Sequence, residues 1–129
     1  MLRRYLFPGL KRIVKAWHEH GVRVMFHSDG YLMEILDDLL DCGFDGLHPI
    51  EVTAGMDLAA VRTHVGHRMF LCGGIDVSQL LPFGNVAEVR AACAHAIDVG
   101  SPGYFIGSTT EMQHLVPLRN VRAVYEPPS

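Results

Sequence analysis

Val22-Arg23-Val24-Met25-Phe26-His27-Ser28-Asp29-Gly30 is the stretch whose reading decides the fold. Its first five residues are a short apolar run rich in β-branched side chains, the pattern of a buried strand. The run spills directly into His, Ser and Asp, and an amphipathic helix pattern from Tyr31 to Cys42 follows. A strand buried on both faces does not gather three polar side chains at its end without a use for them. In strand–helix folds the carboxyl ends of the strands are where chemistry is built.

The same phrase recurs four times: helix, glycine, apolar strand, polar strand end. Leu10, Ile13, Val14 and Trp17 form a helical stripe that stops at Gly21 before the strand Val22–Phe26. Leu32, Ile35, Leu36, Leu39 and Leu40 form the next, which stops at Gly43 before Phe44 to Ile50 and Glu51. Met56, Leu58, Val61 and Val65 stop at Gly66, and the strand Arg68–Cys72 ends in Gly73-Gly74-Ile75-Asp76. Val86, Val89, Ala92, Cys93, Ala96 and Ile97 stop at Gly100, and the strand Gly103–Ile106 runs into Ser108-Thr109-Thr110-Glu111. A last helix is predicted from Pro117 to Tyr125, and the tail from Glu126 to Ser129 is expected to fray. Glycine just past a helix closes it in the left-handed conformation, and Asp29, Asp57 and Asn85 stand where N-caps are needed.

Alternating strand and helix periods predict an α/β protein with a parallel sheet. Two architectures fit four βα units: a small open sheet of flavodoxin-like type, or part of a (β/α)8 barrel. A whole barrel takes about 250 residues, so 129 residues hold about half of one. Residues 1–129 read as a single partial domain without linker or repeat of low complexity. The first helix lacks a preceding strand, which reads as truncation. Such a half leaves strand edges unpaired and calls for the missing N-terminal half or self-association.

Composition narrows the function classes. The chain is 49% hydrophobic and 19% charged, with a net charge of −3, so it offers no basic footprint for nucleic acid. No apolar stretch reaches the ~20 residues of a membrane span, and the start Met1–Pro8 makes a poor signal peptide. The three cysteines, Cys42, Cys72 and Cys93, form no CxxC pair and fit a reducing, cytoplasmic compartment.

Several motifs together, in order and spacing, resemble one family. They are Phe26-His27-Ser28-Asp29-Gly30, Gly43-Phe44-Asp45-Gly46-Leu47-His48-Pro49-Ile50-Glu51, Gly55-Met56-Asp57 and Gly73-Gly74-Ile75-Asp76. Leu81-Pro82-Phe83-Gly84, Gly103-Tyr104-Phe105-Ile106-Gly107 and Val116 to Val121 continue the match. The chain from about Pro8 to Tyr125 is similar to the C-terminal half of the uroporphyrinogen decarboxylase superfamily. That resemblance implies the last four strands of a (β/α)8 barrel. It implies one of two activities: cofactor-free decarboxylation of uroporphyrinogen III in porphyrin biosynthesis, a lyase reaction, or zinc-dependent methyl transfer between a corrinoid protein and a thiol. The implied partners are a tetrapyrrole or corrinoid substrate and, for methyl transfer, a corrinoid protein. A half-barrel with no catalysis of its own is a third reading.

The site expectations follow from strand ends and from the resemblance. Asp29, His27, Glu51 and His114 are the candidate catalytic residues, with Asp29 a general base and Glu51 and Asp76 at equivalent strand ends. Ser28, Gly73, Gly74, Asp76 and Ser108 are candidate substrate-binding residues; the glycine pair lets the chain pass close to a ligand or a neighbouring strand. His27 falls at the metal-ligand position of the zinc methyltransferases, and His27 with Asp29 is the candidate metal pair. The chain departs from both branches. The decarboxylase's Gly-His-Gly is here Gly107-Ser108-Thr109, with His114 displaced; the methyltransferases' His-x-Cys is here His27-Ser28-Asp29, and Ser or Thr replaces their later Cys. Asp29 as a helix cap, Asp76 as a loop-tightening acceptor and Cys72 as inert packing are the competing structural readings. His18, His20, His64, His67 and His95 are expected on solvated helix faces.

Overall fold

A computed structural model describes residues 1–126; Pro127, Pro128 and Ser129, most of the tail expected to fray, lie outside the described residues. Four strands form one parallel sheet: β1 (Met25–His27), β2 (Gly46–His48), β3 (Phe70–Ile75) and β4 (Tyr104–Ser108). Their spatial order is β1-β2-β3-β4, the order of the sequence. A flavodoxin-like sheet places its first strand inside the order. The unbroken sequential order is that of a barrel arc, so the (β/α)8 alternative is the correct one.

The helices are α1 (Leu2–Tyr5), α2 (Phe7–Glu19), α3 (Leu36–Cys42), α4 (Leu58–Val65), α5 (Leu80–Phe83), α6 (Val86–Gly100) and α7 (Leu118–Tyr125), with single 3₁₀ turns at Met33–Ile35 and Val52–Ala54. They start and stop for local reasons. Gly43 ends α3 at φ +89°, which a side chain would resist. Asp57 caps α4 by accepting from the Ala60 N–H at 2.7 Å. Asn85 caps α6 in a reciprocal box with Glu88, at 2.9 and 2.7 Å. Asp29 caps nothing, because the turn that follows starts only at Met33.

One face of the sheet carries the core. Leu47, Leu71, Ile75, Leu36, Leu39, Val61, Val65 and Val89 are all sealed between sheet and helices. The side chains two residues apart along each strand share the other face. There Met25, Gly46 and Phe70 stand in one register row, and Phe105 packs its ring edge on Phe70 at 5.4 Å between centroids. A Cβ on Gly46 would overlap the Phe70 ring, so glycine makes room for it. In a closed barrel that face is the interior, filled by layers of side chains. Here Met25 stays 42% and Phe105 59% exposed, so the layer is apolar yet unburied.

The strands sit later in the chain than the apolar runs suggest. Val22–Val24 lies outside β1, and Gly73-Gly74 lies inside β3 instead of in a loop. Backbone pairing, not hydrophobicity, sets these bounds: β3 follows β4 in register from Leu71–Tyr104 to Ile75–Ser108.

Arg62 holds the amino-terminal ends of the strands. The residue is buried, and among the described residues its guanidinium pairs with no carboxylate; it donates to the carbonyls of Gly66, Gly100, Met69 and Gly103 at 2.7, 2.8, 2.9 and 3.1 Å. Burial pulls its pKa down. Those carbonyls belong to the end of α4, the end of α6 and the approaches to β3 and β4, so one side chain clamps two βα units.

Candidate functional site

The carboxyl ends of β1 and β2 bring His27 and His48 together. The two are register partners on the open face of the sheet. Their Nδ1 atoms are 2.7 Å apart, with the ring centroids 4.9 Å apart and 28° between planes, so the two rings meet edge to edge. His27 is exposed and His48 half-buried. Burial, then the charge of His27, holds His48 below the ordinary imidazole range, and the Asp29 carboxylate works against them. Sequence reasoning singled out His27 and missed His48. The usable signal was the His-Pro that follows an apolar strand at the position equivalent to His27-Ser28 one unit earlier.

Acidic groups frame the pair. Asp29 is exposed, and its charge reaches His48. Glu51 turns toward the β1 end and accepts from the Gly30 N–H, fixing the loop after His27. Glu111, beyond β4, is held below the usual carboxylate range by the Thr110 hydroxyl, its own backbone N–H and the charge of His27. His27, Asp29, Glu111 and His48 therefore belong to one electrostatic neighbourhood. His114 is exposed in the same loop as Glu111.

The other expected residues have structural partners. Asp76 ends β3 and accepts from the Ser78 N–H and hydroxyl, the Gln79 N–H and the Leu80 N–H at 2.7–3.1 Å. Partial burial opposes its ionisation, but those hydrogen bonds win and its pKa falls. Gly73 has φ +105°, and a Cβ there would lie 3.1 Å from the Ile50 nitrogen and 3.2 Å from the Ser108 oxygen. Of the two reasons for glycine at Gly73, approach of a neighbouring strand is the one visible here. A Cβ on Gly74 meets only ordinary contacts with Leu58, Tyr104 and Ile50. Ser108 donates to the Thr110 carbonyl, and Ser28 to that of Asp29 at 3.2 Å. A cleft of about 330 Å³ opens beside these strand ends, lined in part by Glu51, Ser78, Phe83, Thr110 and Gln113.

A zinc–thiolate centre does not fit this arrangement. Among the described residues no three His, Cys, Asp or Glu side chains converge on a metal position. Cys42 and Cys93 are buried in the core, and burial raises the thiol pKa of Cys72, the opposite of what a thiolate ligand needs. Among the described residues His27 and Asp29 find no third donor, and the Nδ1 of His27 is already engaged by His48.

Comparison with known proteins agrees with the geometry. The family model described as uroporphyrinogen decarboxylase (URO-D) matches residues 1–127. The chain is 35% identical over 104 residues to the methylcobamide:CoM methyltransferase MtaA of Methanosarcina barkeri, an alignment that covers 78% of this chain and 28% of the relative. The same enzyme from the Fusaro strain matches equally over 104 residues. Among solved structures, a methyltransferase from Methanosarcina mazei superposes with a TM-score of 0.76 at 27% identity, over 95% of this chain and 34% of that one. The chain thus spans about a third of the length of these relatives, consistent with four βα units of eight. The parallel arc, the strand-end cluster and the family match lead to one conclusion: the chain belongs to the uroporphyrinogen decarboxylase family.

Proposed function

We propose that this chain is the C-terminal barrel half of a methyltransferase that moves a methyl group from a corrinoid to a thiol. The observation that carries this reading is the 35% identity to a methylcobamide:CoM methyltransferase over 104 residues. The relatives favour methyl transfer over the decarboxylation that the family's name suggests. The histidine of the decarboxylase's last strand end is also replaced, by Ser108.

The residues present suit the reaction in two ways. Met25, Phe70 and Phe105 give the barrel interior an apolar layer next to the polar mouth, and a thiolate reacts faster when water is kept from it. His27 stands at the mouth as a proton acceptor for the thiol. The complete pocket needs the strands that close the barrel.

The test is demethylation of methylcobalamin by 2-mercaptoethanesulfonate, followed in the visible spectrum, with the longest soluble form of the protein. The expected result is a rate above the thiol-only background that His27→Ala removes. Decarboxylation of uroporphyrinogen III without demethylation would overturn the proposal.

A further inference from the structure

We infer that Glu51 is a positioning residue and not a proton carrier: its carboxylate stands in for a missing stretch of strand backbone and continues the pairing of β1 with β2 past the last backbone bond, which fixes the segment Ser28-Asp29-Gly30. The inference rests on the methyl-transfer reading only for the reaction that this segment serves.

Parallel strands pair through alternate residues, so N–H groups two apart face the same neighbour. Beyond β1 that period continues. The Ser28 N–H donates to the His48 carbonyl at 3.1 Å, the Gly30 N–H to the Glu51 carboxylate, and the Leu32 N–H to the Met56 sulfur at 3.2 Å. Every donor comes from the β1 side and every acceptor from the β2 side. Only the first of these acceptors is backbone.

The backbone after β2 is not free to supply the others. The chain turns away at Val52–Ala54, and the Glu51 carbonyl is taken by the Ala54 and Met56 N–H groups at 3.0 and 3.2 Å. A partly buried Gly30 N–H without an acceptor would cost free energy, and the Glu51 side chain supplies one. Gly30 carries a second mark of the same arrangement. Its φ of +91° is left-handed, yet a Cβ there would meet nothing within 4 Å. Glycine stands there for the direction of the backbone and not for space.

Ser28 and Gly30 are thereby both tied to the β2 side, and Asp29 lies between two fixed points directly after His27. A misplacement of about 1 Å at a reacting centre can cost roughly a hundredfold in rate, so a loop held at both ends bears on kcat. Sequence position places Glu51 at a strand end among the candidate catalytic residues, but its partner in the folded chain is a backbone N–H. That task needs an acceptor oxygen and no transferable proton. A carboxamide oxygen meets it as well as a carboxylate does, and this separates positioning from acid–base chemistry.

The test compares Glu51→Gln and Glu51→Ala in two assays. The first is amide hydrogen exchange of the 129-residue chain, with the Ser28 amide as internal reference. The Gly30 amide is expected to be protected in the wild type and in Glu51→Gln. In Glu51→Ala it should exchange at least about tenfold faster relative to Ser28, as loss of a hydrogen bond to a charged acceptor requires. The second is methylcobalamin demethylation with the longest soluble form. There Glu51→Gln should keep at least about half of kcat, while Glu51→Ala lowers kcat about tenfold or more with little change in the KM for the thiol. A Gly30 amide unprotected in the wild type, or indifferent to Glu51→Ala, would overturn the inference. So would a Glu51→Gln enzyme as slow as Glu51→Ala with its Gly30 amide still protected, since the carboxylate would then be needed for its charge or its proton. Should Glu51→Ala not fold, the wild-type amide and Glu51→Gln decide alone. A wild type without turnover would refute the methyl-transfer reading and leave the exchange data to decide the positioning, so the two ideas fail separately.

Discussion

Replacing Arg62 by Met should remove more stability than any other single change at the bottom of this barrel half. Methionine keeps most of the buried stem and deletes the guanidinium. Four backbone carbonyls, at 2.7–3.1 Å from its nitrogens, lose their donor together. A hydrogen bond to a charged group contributes about 1.5–3 kcal/mol net. Four would sum to roughly 6–12 kcal/mol, but burying a guanidinium without a carboxylate costs several kcal/mol, and the partly buried Gly66 and Gly103 carbonyls regain water. The expected loss is about 3–5 kcal/mol, in the range of broken buried polar networks. With a urea slope of about 1–2 kcal/mol/M for a small domain, the midpoint falls by roughly 1.5–5 M at unchanged slope. Arg62→Lys should recover less than half, because one ammonium cannot span carbonyls from α4, α6 and two strand approaches. Urea denaturation followed by circular dichroism reads both. A loss below about 1 kcal/mol for Arg62→Met would refute the clamp, as would Lys equalling Arg.

Two further outcomes can be checked with the same protein. The Asp76 carboxyl titrates below its ordinary value in the folded chain, so the unfolded state binds its proton first. Its stabilisation is whole above about pH 4 and is lost as pH falls through the lower folded value; Asp76→Asn should cost about 1–2 kcal/mol at pH 7 and flatten the acid limb in denaturation curves, and an unchanged limb would count against it. The uncovered apolar face around Met25 and Phe105 should bind a hydrophobic probe dye or drive self-association of the 129-residue chain in sedimentation; a dye-silent monomer would contradict the picture of an open barrel arc.

Much of the fold was legible in the sequence because its signals are local. The 3.6-residue stripes, the glycine stop at Gly43 and the caps at Asp57 and Asn85 depend on neighbours within a turn, and each stands where the pattern put it. The polar strand end His27-Ser28-Asp29 was equally visible, since a hydrophobic run that breaks into ionisable residues is a contrast along the chain. Sequence order could not choose between an open sheet and a barrel arc. That choice lies in which strands pair, and pairing is a relation between residues far apart in the chain. The same limit hid His48, an unremarkable histidine before a proline until the register of β1 on β2 sets its ring against His27. It also hid the reason for glycine at Gly73, where the neighbouring backbones of Ile50 and Ser108 leave no space for a side chain, and the clamp of Arg62, whose four acceptors come from segments up to 41 residues away. Periodicity and capping are written in single segments; register, burial and the pairing of titratable groups exist only once the segments are assembled.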